Sequence, residues 1–267
     1  MSTADKILRH LQSYELEGKA PKYSCNSPLR PGSNSHGFTV TITDDEHGAW
    51  YDHVTGEKGS LYELAEKLGI ETPKREPVVN SKKAYTSLAE YADVKGVPEK
   101  VFTDAKWELH TYFDGRPCFK YPTSGGLRYR FIDGNKPSFK SEQGYKPNWY
   151  GLKRAISLAG KQPIILCNGE PSTVVAQYFG MPAFCLPSGE TQNVTPELLT
   201  QLKADWKGSV IIALDCDKAG NEGAYKFADA FKGANINYTI VDLMLTTGGD
   251  LADFCKLHHE TLKADFD

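Results

Sequence analysis

No stretch of this sequence approaches the roughly 20 consecutive apolar residues that a membrane-spanning helix needs. The opening Met1-Ser-Thr-Ala-Asp-Lys6 also lacks a basic-then-apolar leader. The chain therefore reads as cytoplasmic, with no membrane partner. Its six cysteines (Cys25, Cys118, Cys167, Cys185, Cys216, Cys255) contain no CxxC pair and are scattered, which argues for ordinary free thiols rather than a disulfide framework. A GxxxxGK[ST] phosphate loop is missing, so no helicase motor is expected within the chain. Charge of one sign is missing too. With 31 basic and 34 acidic residues the net charge is -3, which excludes a polycation and an acidic solvating segment, so any nucleic-acid role must come from local charge. What is present is 267 residues, 40% of them hydrophobic, enough to bury a real core.

Composition divides the chain. Residues 71–83 are polar, carry two prolines and show no period, and read as a linker. Residues 1–70 form a small module: a helix from about Ala4 to Tyr14, an alternating strand Phe38–Ile42, an acidic turn Asp44–Gly48, Trp50-Tyr51, and a short helix through Leu61, Leu64, Ala65 and Leu68. Residues 84–160 mix helices and strands. From Lys161 to Asp267 four apolar runs, Pro163–Cys167, Ala183–Leu186, Val210–Leu214 and Tyr238–Asp242, are each followed by a helix-like stretch. That alternation predicts an α/β fold with a mostly parallel, helix-covered sheet.

In open α/β sheets ligands bind at the carboxyl ends of the strands. Three loops there are acidic: Asn168-Gly-Glu170, Asp215-Cys-Asp217 and Gly248-Gly-Asp250-Leu-Ala-Asp253. Two aspartates at i, i+2 after a buried strand can reach one hard cation, and Glu170 from another strand end could add a ligand or accept a proton. The plainer alternative is that these acids cap helices. Three acidic loops at one sheet edge favour the cation, because mutual repulsion of unpaired carboxylates would destabilise the fold.

Gly-Glu after one strand, Pro187-Ser-Gly189 after the next, then Asp-x-Asp-x-Ala-Gly (215–220) together resemble the Toprim domain shared by bacterial primases, topoisomerases and related nucleases. The resemblance spans about Lys161 to His259. It implies a Rossmann-like Toprim sheet with a Mg2+ (or Mn2+) site on Glu170, Asp215 and Asp217, and with Asp250, and Asp253 beside it, available to a second ion or to the cap of the last helix. One departure stands out: most Toprim domains place a glutamate just before the glycine, where this chain has Asn168, and Ser172 replaces an aspartate that commonly follows.

Between Lys120 and Arg154, eight basic residues face two acidic ones, leaving -9 for the rest of the chain. Such segregation suits a phosphate backbone and nucleotide triphosphates held near a cation. Arg128 and Arg130 share a strand face and are read as nucleic-acid or nucleotide contacts, with Lys153 and Arg154, while Lys140 is the candidate partner of the triphosphate. The interleaved aromatics are expected to be core. Arg128-Tyr-Arg, Phe139-Lys-Ser and Trp149-Tyr-Gly-Leu152 also resemble the α+β subdomain that precedes Toprim in primases.

Tyr23–Pro28 and Gly48–Ser60 resemble the primase zinc ribbon with most ligands replaced. Cys25 has no close ligand partner, and His36, His47 and His53 are distant, so a metal-free ribbon without zinc is expected. Lys22, Arg30, Trp50 and Lys58 are its candidate template contacts. The resemblance as a whole implies a phage or mobile-element type primase: a nucleotidyltransferase making primers on single-stranded DNA from nucleoside triphosphates, with a helicase in a longer parent chain or in trans. A nonenzymatic single-strand-binding accessory with a vestigial site and a Toprim nuclease are the competing readings.

Overall fold

Ser2 opens the first helix with a reciprocal cap: its hydroxyl accepts from Asp5 N–H at 3.1 Å, and the Asp5 carboxylate accepts from Ser2 N–H at 3.2 Å. In the computed structural model, residues 2–30, 32, 35–42, 48–72, 84–187, 194–246 and 248–264 are described. They fall into two units, Met1–Glu76 with Thr239–Asp242, and Pro77–Tyr238 with Leu243–Asp267. Most of the expected linker, the acidic residues 44–46 with His47, and Ser188-Gly189 lie outside the described residues.

The first unit begins with α1 (Thr3–Leu11), whose Ala4, Ile7 and Leu11 recur at helical spacing and are buried. A 3-10 turn (Gln12–Tyr14) follows. Then β1 (Glu17–Lys19), β2 (Lys22–Cys25), β3 (Phe38–Ile42), β4 (Gly48–Asp52) and β5 (Lys58–Ser60) form an antiparallel meander in sequence order. Alternation sends Phe38 and Val40 inward, and Trp50 stacks on Phe38 with ring centroids 5.3 Å apart. Helix α2 (Leu61–Lys67), capped by Ser60 and Glu63, covers that core with Leu61, Leu64 and Ala65.

The second unit starts with α3 (Leu88–Val94) and α4 (Glu99–Asp104), followed by β6 (Glu108–Thr111), β7 (Pro117–Thr123), β8 (Gly126–Phe131) and β9 (Phe139–Ser141), an antiparallel sheet in that order. The rest of the chain alternates: α5 (Leu152–Ala159), β10 (Ile164–Cys167), α6 (Glu170–Tyr178), β11 (Ala183–Phe184), α7 (Pro196–Asp205), β12 (Val210–Ala213), α8 (Lys218–Gly233), β13 (Tyr238–Ile240), whose last two residues are grouped with the first unit, α9 (Leu251–Leu257) and α10 (His259–Ala264). The sheet order is β11-β10-β12-β13, with β10 parallel to both β11 and β12. The four apolar runs thus become the four strands expected of them.

Both sheets of this unit feed one core. Tyr91, Phe102, Trp107, Phe119 and Tyr121 pack in the same cluster as Ile165, Val174, Val175, Ala183 and Leu251. Trp107 lies flat on Tyr121 with centroids 3.8 Å apart, and such a pair contributes about 1 kcal/mol beyond its buried area. Helix α6 is buried on nearly every side from Glu170 to Gln177, as its lack of a polar stripe requires. Gly151, at φ +74°, lets α5 begin against α6: a Cβ there would stand 2.6 Å from Thr173 and 2.7 Å from Gln177.

Candidate functional site

Strand polarity brings three acidic loops to one edge. Asn168–Glu170 leaves the end of β10, and Asp215–Asp217 leaves the end of β12. Backbone bonds then tie the third loop to the second: Cys216 N–H donates to Gly249 O at 2.9 Å, and Gly248 N–H to Cys216 O at 3.1 Å. Gly220 presses the first turn of α8 against this edge. A Cβ there would meet Asp215 O at 2.1 Å, so the glycine at the end of Asp-x-Asp-x-x-Gly is a packing requirement.

Every acid at the edge has an internal partner. Asn168 Nδ2 donates to Asp215 Oδ2. Asp217 Oδ1 accepts from Gly220 N–H at 2.8 Å and caps α8. The Glu170 carboxylate, buried at the start of α6, stands 2.8 Å from Arg128 Nε as an ion pair, with the N–H not aimed along the contact. Burial works against the Arg128 charge, but Glu170 and the Tyr121 and Tyr145 phenols outweigh it and hold that guanidinium above its ordinary pKa. Asp250 caps α9, accepting from Asp253 N–H at 2.9 Å, and its Oδ2 pairs with Lys95 Nζ at 3.2 Å. Burial alone would raise the Asp250 pKa; the Lys95 charge and the capping bond hold it below the usual carboxylate value. Asp253 goes the other way, raised by burial and by the Asp250 charge.

Repulsion among the edge acids is therefore relieved in part by the chain itself, since Arg128 and Lys95 each take one acid. Among the described residues no three His, Cys, Asp or Glu side chains stand together as a metal-holding group. Glu170, Asp215 and Asp217 share an edge without forming a cage. What the edge does offer is a half-buried i, i+2 pair, Asp215 and Asp217. That donor set suits Mg2+, which is usually held by one or two carboxylates and keeps its remaining positions for water and phosphate oxygens.

The basic residues are arranged differently from the sequence expectation. Arg128 and Arg130 do share a face, but it is the inward one, because the register pairs them with Tyr121 and Phe119. Arg128 is 1% exposed, lying over the Phe139 ring at 4.5 Å, and Arg130 lies 5.8 Å from the centre of Tyr91. This burial has a simple cause: alternation sets which side chains share a face, and the distant Glu170 carboxylate meets the charged face inside the fold. Lys140 pairs in register with Tyr129, on the opposite face from the arginines, 5.0 Å from the Tyr112 ring and 3.9 Å from Asp114. It faces away from the acids and does not stand where a triphosphate partner was expected. Tyr129 and Phe131 are buried as expected, in a small cluster on that outer face.

Lys153 and Arg154 are exposed on the first turn of α5. Arg154 lines a cavity of about 400 Å3 with Val101, Tyr150 and Tyr178. Val174 and Tyr178 of α6 both line it, so this cavity begins ~6 Å along the helix from Glu170. Lys95 was missed from the sequence, where it is one polar residue at a helix end with nothing to mark an acid 155 positions away.

In the first unit Asp52 is the organising residue. Its Oδ2 accepts from Ser27 Oγ at 2.8 Å and Arg30 Nε at 2.9 Å, and its Oδ1 from Val54 N–H at 2.9 Å and Thr55 N–H at 3.3 Å. These bonds outweigh burial and lower its pKa to about 2. Two candidate template contacts are thereby reassigned: Arg30 is this ion pair's cation, and Trp50 is core. Cys25 is a buried free thiol pushed up to about 11 by burial, His36 pairs with Glu15 at 3.3 Å, and His53 bonds Thr39. All six cysteines are free. No helix among the described residues is long and apolar enough to cross a membrane.

Neither a protein-family model nor a curated protein sequence matches the chain. Solved structures do. The zinc-binding and RNA polymerase domains of the Aquifex aeolicus primase superpose with a TM-score of 0.50 at 16% identity, covering 99% of this chain and 83% of that one. The primase fragment of the bacteriophage T7 primase-helicase protein gives 0.45 at 16% identity, covering 91% of this chain and 98% of that one. The RNA polymerase domain of Mycobacterium tuberculosis primase DnaG, in complex with double-stranded DNA, gives 0.41 at 18%, covering 76% and 69%. The first likeness is one of fold: this chain has a mixed α/β architecture similar to that of a primase.

Proposed function

We propose that the chain is a primase-like nucleotidyltransferase of phage or mobile-element type, working at the acid edge of a Toprim-type sheet on single-stranded DNA with nucleoside triphosphates. The observation that carries the reading is the half-buried Asp215–Asp217 pair at the carboxyl end of a parallel strand, with Gly220 packed beneath it. In this reading Asp215 and Asp217 hold Mg2+ or Mn2+. When bound, that ion would lower the pKa of a primer 3' hydroxyl and neutralise departing pyrophosphate.

The chain's own residues prepare the edge. The Asn168 amide fixes the rotamer of Asp215 and leaves its charge intact. Asp217 is oriented by the helix it caps. Glu170 and Arg128 act as a neutral buried pair that anchors the start of α6 and keeps the acid edge from being uniformly negative. Lys153 and Arg154, exposed on α5, are the cations available to a template backbone. A helicase, in trans or in a longer parent chain, is the partner such a chemistry needs, because the template must be single-stranded.

One observation favours a second reading, a nonenzymatic single-strand-binding accessory: every acid of the edge already has a partner within the chain. Incubation with a single-stranded template, ribonucleotides and Mg2+ separates the two. Labelled oligonucleotides made by the wild type and lost in Asp217→Asn, which keeps the helix cap but removes the charge, are the expected result. Template binding without product would favour the accessory, and shortened template would point to a nuclease.

A further inference from the structure

We infer that Lys95 is a built-in cation standing in for a second divalent ion at Asp250, so that the acid edge takes one divalent ion and not two. The inference rests on the metal reading proposed above and adds its stoichiometry. Both Asp250 oxygens are committed: Oδ1 to the Asp253 N–H at 2.9 Å and Oδ2 to Lys95 Nζ at 3.2 Å. Lys95 is 9% exposed and sits at the C-terminal cap of α3, so its ammonium is held inside the fold and does not swing on the surface.

A second tie fixes this geometry from the opposite direction. Lys256 of α9, the helix that Asp250 caps, donates to Val94 O at 2.9 Å, pinning the end of α3 to α9. Gly96 follows at φ +73°, where a Cβ would stand 2.9 Å from the Lys256 side chain, so the close approach of the two helices needs a glycine. The Arg130 charge also reaches Lys95, adding positive potential to the same place. A divalent ion on Asp250 would have to displace the ammonium, or sit within a few ångströms of it, with Arg130 adding to the repulsion. At the Asp215–Asp217 turn the acids are held by an amide and a helix cap.

Counting bound Mn2+ by electron paramagnetic resonance on the full chain tests this without an activity readout. One ion per chain is expected for the wild type and for Lys95→Arg, and two for Lys95→Met, whose neutral side chain of similar length vacates the charge. Two ions in the wild type, or one in a folded Lys95→Met, overturns the inference while leaving the metal reading intact. No ion in any of the three, with Asp217→Asn equally empty, overturns the metal reading itself. Should Lys95→Met fail to fold because it strands a buried carboxylate, Lys95→Met with Asp250→Asn removes both charges. It is expected to keep one ion, and a count of zero there shows that Asp250 was a ligand after all.

Discussion

Asp52 and Asp250 are both buried or nearly so and both accept a bond from a side-chain cation, yet they do opposite things. Around Asp52 the donors outnumber the acid: two side chains and two backbone N–H groups converge on one carboxylate. The result is a closed knot joining the loop after β2 to the turn after β4, with no charge left over. At the sheet edge the acids outnumber the cations. Glu170, Asp215, Asp217, Asp250 and Asp253 gather near Arg128, Arg130 and Lys95. An internal cation therefore makes a structural crosslink where it completes the charge balance, and leaves a net-acidic edge where it falls short.

The sharpest way to break this comparison is to remove the knot. Asp52→Ala strands the Arg30 charge and frees four donors, and is expected to cost the first unit about 3 to 5 kcal/mol. Hydrogen exchange at the β4 and β5 amides of the full chain should approach the unfolded rate while the amides of β10 and β12 stay protected. Next in size is Arg128→Met, which leaves the Glu170 carboxylate buried and unpaired at about 3 kcal/mol, read by urea denaturation. Adding Glu170→Met should recover most of that loss. If the double variant is as unstable as the single one, the pair contributes more than mutual neutralisation, and Glu170 has a role that methionine cannot fill.

Much of this fold was legible in the sequence, and the parts that were not have a common cause. The strands at Phe38–Ile42, Ile164–Cys167 and Val210–Ala213 and the helix over Leu61–Lys67 followed from local period and capping residues, which depend only on near neighbours. The acidic loops were found because strand ends announce themselves as apolar runs that stop. Partners were not legible. Nothing near Arg128 says that Glu170 will reach it, or that the face shared by Arg128 and Arg130 is the buried one. Nor does the sequence tell that Lys140 lies on the face opposite the arginines and toward the sheet's outer side, since period two distinguishes the faces of a strand but carries no label for inside. Asp52 lies within the Gly48–Ser60 stretch, and its Asx bonds to residues 54 and 55 are the local half of a signal whose other half, Ser27 and Arg30, is more than twenty residues away.

Titration separates the two regions at the alkaline end of the pH scale, with a somewhat smaller effect. The Asp52 pKa is lowered from 3.8 unfolded to about 2 folded. Its contribution is thus complete above the unfolded value and lost as pH falls through about 2, a loss of ~2 kcal/mol in the first unit. Lys95 is shifted the other way, raised above 10.5 by Asp250 despite its burial. Its contribution is complete below the unfolded value and lost as pH rises through the folded one. Alkali should therefore release exchange first at the α3–α9 contact and spare the meander, whose Asp52 stays ionised, whereas acid should loosen both, because Asp250 is also held below its usual value. Release in the meander at alkaline pH would mean that the two carboxylates are not independent devices.

The smallest expected effect concerns metal itself. Cys25 is a buried thiol whose pKa is raised by burial, and His36 is engaged by Glu15, so neither is offered to a metal ion. Thermal melting of the meander, followed by exchange at β3 to β5, should not move with EDTA, zinc or magnesium. Magnesium at ten times its Kd should instead raise the stability of the second unit by ~1.4 kcal/mol, the mass-action gain for one site. Asp217→Asn should abolish that gain and leave the meander untouched. A gain in the meander, or one that survives Asp217→Asn, would put the divalent ion somewhere other than the edge where the acids outnumber their cations.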